Sequence, residues 1–168
     1  MRYVAQPDDY SCGPIAILNA LKWAGLDASL RESLPFLQFG CRTIDPETPH
    51  DLESNGTTDT DFDRVLRYVL KGKFRVRRKK HPKLSDIENH CMGGGAVALS
   101  YYWNEGGEFG DHFCFISGME KGRFVIANDH HAKTKNAVLI RSAKTLCRWL
   151  RVHGDDPIAW FLTPKANE

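Results

Sequence analysis

A chain of 168 residues with 42% apolar residues and a formal net charge of +2 has the size and composition of one soluble globular domain, residues 1–168. Its longest apolar stretches, Ala96 to Trp103 and Ile15 to Leu21, fall far short of the roughly 20 residues that span a bilayer. Gln6, Asp8 and Asp9 interrupt any secretory pattern at the amino terminus, so a cytoplasmic protein with no membrane segment is expected.

Gly13-Pro14 opens a helical pattern in which Ile15, Leu18 and Leu21 form an apolar stripe that ends at Gly25; proline suits a first helical turn and glycine the exit. Ser29 to Leu34 reads as a second short helix, and Phe36 to Thr58, rich in Pro, Thr, Asp and Asn, as an irregular excursion. Phe62, Val65, Leu66 and Val69 give Thr60 to Leu70 a helical spacing, and Ser85-Asp86-Ile87-Glu88 has the form of a capping box. The small net charge conceals a segregation, since Asp45 to Asp63 contains no Lys or Arg whereas Arg64 to Lys83 contains ten bases and no acid. Asp59, Asp61 and Asp63 at one end of the helix, with Arg67 and Lys71 towards the other, complement its dipole. The bases from Arg75 to Lys80 fall on both faces of an extended run, as on a solvated edge strand. No recognised binding motif or aromatic platform accompanies them, and no nucleic-acid partner is expected.

The second half changes period. Ala96 to Trp103, His112 to Met119, Arg123 to Ala127, Ala137 to Arg141 and Ile158 to Thr163 read as strands, separated by the glycine-containing stretch Asn104 to Gly110 and a hairpin turn at Lys121-Gly122. Ser142 to Val152 interrupts them with one helix. A helical amino-terminal half packed on a mainly antiparallel sheet is an α+β plan.

Five cysteines, Cys12, Cys41, Cys91, Cys114 and Cys147, are odd in number and widely spaced, which argues for free thiols. Cys12 lies at the start of the first helix, where unpaired amides and the dipole favour a thiolate and can also stabilise an oxyanion forming beside it. Cys41, Cys91 and Cys147 have no base placed beside them by any pattern and are read as structural, and Cys114, which shares a face with His112 and Ile116 by strand alternation, is read as packing. A hairpin turning at residues 120–122 pairs the region of His112 with that of Asn128 and Asp129. An acid there can fix the imidazole tautomer while the other ring nitrogen exchanges a proton with a thiol.

The stretch Gln6-Pro7-Asp8-Asp9-Tyr10-Ser11-Cys12-Gly13-Pro14 resembles the active-site opening of the bacteriocin-processing peptidases, a papain-like family. His112-Phe113-Cys114-Phe115-Ile116-Ser117-Gly118 and the strand ending in Asp129 are similar to its histidine hairpin, and Gly56-Thr57-Thr58 to its entry into the middle helix. The resemblance implies a papain-like cysteine peptidase fold, Cys12 as nucleophile, Gln6 in the oxyanion hole, His112 as general base and acid, and Asp129 orienting it. The family usually follows its acid with proline, whereas His130-His131 follows here; an Asn128 amide could fill the orienting role, and Asp129 is preferred because it accepts without needing an amide flip.

The implied function is cleavage of a peptide or amide bond in a peptide or protein substrate through an acyl-enzyme, without a cofactor. The alternatives are an acyltransferase using the same thioester and a non-catalytic peptide-binding domain of the same fold. Asp129-His130-His131, His90-Cys91 and His112 with Cys114 fit no metal-binding spacing, and adjacent strand residues point to opposite faces, so no metal is expected. Gly93-Gly94-Gly95 lacks a following Gly-Lys-Ser/Thr and reads as a turn.

Overall fold

The computed structural model of the protein describes residues 2–26, 28–42, 56–133, 135–151 and 156–165. Three helices come first: α1 (Cys12–Trp23), α2 (Leu30–Cys41) and α3 (Asp59–Val69). β1 (Phe74–Lys80), α4 (Leu84–Met92), β2 (Ala96–Glu105), β3 (Glu108–Glu120), β4 (Arg123–Ala127), β5 (Val138–Arg141), α5 (Ala143–Trp149) and β6 (Ile158–Pro164) follow. The six strands form one sheet in the order β1-β6-β2-β3-β4-β5, with every neighbouring pair antiparallel. The α+β plan is therefore observed, and among the described residues no helix is long and apolar enough to cross a membrane.

Alternation along the strands divides the interior in two. Ala96 and Ala98 of β2, Phe113 and Phe115 of β3, and Trp160 and Leu162 of β6 pack with α1, α2 and α3. Val97, Leu99, Tyr101, Cys114, Ile116 and Phe161 pack on the other face with Ile87 and Cys91 of α4 and Leu146 and Trp149 of α5. A strand covered on both faces needs apolar side chains at consecutive positions, which accounts for the unbroken run Ala96 to Leu99. Trp160 is fully buried and donates its indole N–H to Asp63 of α3 at 2.8 Å, tying that helix to the sheet.

Several boundaries move from their sequence expectations. The segment expected to be irregular from Phe36 is helical as far as Cys41, so α2 runs through Pro35; the rest of that excursion, 43–55, lies outside the described residues. The cap of α4 lies at Lys83, where the Asp86 carboxylate accepts from the Lys83 amide at 2.7 Å, rather than in a Ser85–Glu88 box. Asn104 to Gly110 is mostly strand, and the reversal is confined to Gly106 and Gly107, whose φ of 65° and 90° suits glycine. Lys121 and Gly122 form the expected turn with positive φ at both residues. β1 is the sheet edge, and its bases lie on both faces, with Arg77 stacked on Phe161 and Arg78 towards Trp160. The acids and bases of α3 are partly paired locally: Asp61 with Arg64, and Asp63 with Arg67.

Candidate active site

The turn before α1 is built by its own polar side chains. Asp8 accepts from the amides of Tyr10 at 3.1 Å and Ser11 at 2.7 Å and from the Ser11 hydroxyl at 2.7 Å, and Gln38 of α2 donates to that hydroxyl at 2.8 Å. These bonds set Ser11 as the cap and Cys12 as the first residue of α1. Gly13 must follow, because a Cβ there would lie 2.5 Å from the Thr57 hydroxyl oxygen. Thr57 thus packs on the first turn of α1, which gives the Gly56-Thr57-Thr58 stretch a physical role.

Cys12 lies against Phe113, partway along β3. The amide of Phe113 and those of Gly13 and Cys12 itself favour its thiolate, as a helix start should. Burial outweighs them, and with a smaller contribution from the charge of Asp111 it pushes the thiol up to about 11. The expected thiolate is therefore not the resting form, and the correction is one of desolvation rather than of position.

His112 pairs with Tyr101 across β2–β3 and is 5% exposed. Its Nε2 lies 2.6 Å from the backbone oxygen of Asn128. A carbonyl oxygen can only accept, so Nε2 carries the proton and Nδ1 keeps the free lone pair. Burial holds the imidazole down to about 4 against the opposing effects of that bond and of the Asp129 charge, so His112 is neutral at ordinary pH. The hydrogen bond expected from Asp129 is thus made by the neighbouring backbone. The Asp129 carboxylate, 1% exposed, instead engages Arg141 at 2.5 Å and the His131 amide at 2.9 Å, and acts on His112 through its charge.

Asn128 joins these groups. Its φ of 56° turns the side chain back towards the amino-terminal segment, where Oδ1 accepts from the Gln6 amide at 2.7 Å. Its Nδ2 donates to the Phe113 oxygen at 3.3 Å and to Gln6 Oε1 at 3.4 Å. The backbone partners fix this assignment: an amide N–H must meet the oxygen, and a carbonyl must meet the nitrogen. Gln6 consequently holds its side-chain oxygen inward and keeps Nε2 as the donor.

Gln6, His112 and Asp129 line one cleft of about 550 Å³, together with Asp8, Asp111, Trp103 and Phe109. Cys12 is not among its lining residues. Among the described residues no hydrogen bond joins Cys12 to His112: Cys12 packs with Phe113 on the α1 side of β3, while the His112 ring meets Tyr101 and His130. The other cysteines are free thiols, and Cys41, Cys91 and Cys114 are buried. Cys114 shares the apolar face of Ile116, as strand alternation implies. The steps missed from sequence are the contributions of Asp8, Asn128 and its carbonyl. Asn128 is legible as an alternative orienting residue through its amide, but the bond of its carbonyl to His112 and its reach to Gln6, at a positive φ, are announced by no pattern. The strand argument against Asp129-His130-His131 also needs correction: β4 ends at Ala127, and His130 and His131 lie in a turn with ring centroids 4.2 Å apart.

No protein-family model and no curated protein sequence matches the chain. Solved structures do. The peptidase domain of Streptococcus ComA, a bifunctional ABC transporter involved in a quorum-sensing pathway, aligns with a TM-score of 0.63 at 18% identity, covering 98% of this chain and 100% of that domain. A Bacillus anthracis protein described as a C39-like peptidase aligns with a TM-score of 0.60 at 12% identity, covering 98% of this chain and 96% of the other. The chain has the fold of these peptidase domains.

Proposed function

We propose that the chain is a cysteine peptidase or amidohydrolase that cleaves a peptide or amide bond through an acyl-enzyme on Cys12. As Sγ attacks the carbonyl carbon, His112 Nδ1 takes the thiol proton, and the carbonyl oxygen becomes an oxyanion that accepts from Gln6 Nε2 and the α1 amides. Collapse expels the amine, which takes the proton from His112. Water activated by the same imidazole then opens the thioester, releasing the acid and restoring the thiol. The Asp129 charge favours the transient imidazolium.

The observation that carries this reading is the double use of residue 128: its carbonyl fixes the tautomer that leaves the His112 Nδ1 lone pair free, and its carboxamide engages the Gln6 side-chain oxygen, leaving Gln6 Nε2 as the donor. The thiol and imidazole must close on each other when an acyl group binds, as such contacts commonly tighten in the substrate complex. One observation favours a second reading, a peptide-binding domain without turnover: Cys12 is buried, which pushes its thiol up to about 11, and lies outside the cleft lining.

Kinetics with an activated peptide amide separate the two. Cys12→Ala is expected to abolish turnover with the fold intact by circular dichroism. Gln6→Ala is expected to lower turnover by about a hundred-fold, equivalent to roughly 3 kcal/mol of transition-state stabilisation, with little change in substrate affinity. A folded Gln6→Ala protein with unchanged turnover rules out the oxyanion role.

A further inference from the structure

Beyond the proposed chemistry, and independent of it, one side-chain nitrogen in the cleft wall, His130 Nε2, has no hydrogen-bond partner. The His130 imidazole is 1% exposed, and no hydrogen bond reaches its Nε2. Its ring is held in one orientation, stacked on Trp103 at 4.7 Å and 8°, edge-on to Trp149 at 5.3 Å, with Nδ1 2.8 Å from the Tyr101 hydroxyl. A buried polar atom without a partner is costly, and here the packing aims it at two further donors. Glu105 Oε2 lies 3.8 Å away, too far for a hydrogen bond, and His131 Nε2 lies 3.0 Å from that same oxygen. The three ligand atoms all lie within 4.8 Å of one another.

We infer that Glu105, His130 and His131 form a binding site for a divalent transition-metal ion of the Zn²⁺ class. Two imidazoles and one carboxylate are a donor set that Zn²⁺ takes with bonds of about 2.0–2.2 Å, which places tetrahedral ligand atoms about 3.3 Å apart. The 3.0 and 3.8 Å separations from the carboxylate bracket that spacing, and the two imidazole nitrogens, within 4.8 Å of each other, draw together to close the site. The surroundings match what a metal site needs. Tyr101 Oη accepts from His130 Nδ1–H in the bound form, fixing the tautomer that presents Nε2 to the ion, and Arg148 holds the other Glu105 oxygen at 2.5 Å. His131 is half exposed, so ions can enter and solvent can complete the coordination. The carboxylate comes from the end of β2 and the histidines from the turn after β4, so the ion would clip that turn to the β2–β3 hairpin.

The test is calorimetric titration of the tag-free, chelator-stripped full chain with Zn²⁺. Cys12→Ala is included because Cys12 and His112, if they close on each other, are the competing Zn²⁺ site; His131→Ala and Glu105→Gln remove ligands at the exposed rim, and unchanged metal-free melting temperatures establish that they fold. The wild type and Cys12→Ala are expected to bind one equivalent, and His131→Ala and Glu105→Gln to bind about ten-fold more weakly or worse. Co²⁺ is expected to give a visible d–d band without a thiolate charge-transfer band. Absence of saturable Zn²⁺ binding, which would mean that water alone satisfies His130, overturns the inference. Binding lost in Cys12→Ala, or kept in both rim variants, overturns it equally.

Discussion

At Asn128 the backbone and the side chain serve different partners, which is why neither an acid nor an amide at that position acts on His112 in the simple way expected. The carbonyl accepts from His112, and the carboxamide is committed to Gln6 and Phe113. The sequence carried the identity of these residues and their approximate meeting in a hairpin. It could not carry the division of labour, because that follows from one positive φ and from a contact 122 residues away. The thiol presents a similar case. The helix-end amides were legible and act with the expected sign, but the weight of burial depends on tertiary packing. Since burial disfavours the charged form and the thiolate is the species that alkylates, labelling of Cys12 by iodoacetamide in the folded protein should be slow near neutral pH. Its rate should climb about ten-fold per pH unit towards the thiol value of about 11. A rate already at its plateau at pH 7 would mean that a thiolate–imidazolium pair exists at rest.

The elements that position the site were legible where one physical cause dominates. The β3–β4 hairpin was read from two alternating runs around Lys121-Gly122, and α3 from a single apolar stripe with acids at its start. The second half of α2 was not, because Pro35 and the exposed Phe36 and Phe39 hide its period. The meeting of α1 with the residues before α3 was also hidden, although both motifs had been recognised separately. It yields a test at this scale. Gly13→Ala places a methyl group into Thr57, so it should destabilise the protein by about 1–3 kcal/mol in urea unfolding and reduce turnover by displacing Cys12. Adding Thr57→Gly removes the obstructing side chain and should recover part of both losses. A stable, fully active Gly13→Ala protein would contradict the close packing of these two elements.

Across the whole molecule, the sheet supplies His112, the turn that leaves β4 supplies Asn128, one helical layer supplies Cys12, and an irregular amino-terminal segment supplies Gln6. That segment is secured at two places: Asn128 holds Gln6, and the fully buried Asn19 of α1 exchanges two 2.9 Å bonds with the backbone of Val4. Asn19→Ala leaves that amide and carbonyl without their partners, at a cost of about 1–3 kcal/mol for each group left unpaired. It should accelerate hydrogen exchange at the Val4 and Gln6 amides more than in the sheet; uniform acceleration would indicate general destabilisation instead. The overall plan was readable from the change of period halfway along the chain, whereas the covering of the second sheet face by α4 and α5 was not, since each is short and no local pattern assigns it a face of the sheet.

The central claim is that Cys12 becomes acylated. Intact-mass measurement of the protein mixed with a panel of activated peptide esters and amides, quenched in acid and followed by peptide mapping, tests it directly. The expected result is one acyl mass added on Cys12, absent in Cys12→Ala and decaying in the wild type as the thioester is hydrolysed. No adduct with any member of the panel, or an adduct confined to another cysteine, would contradict the account.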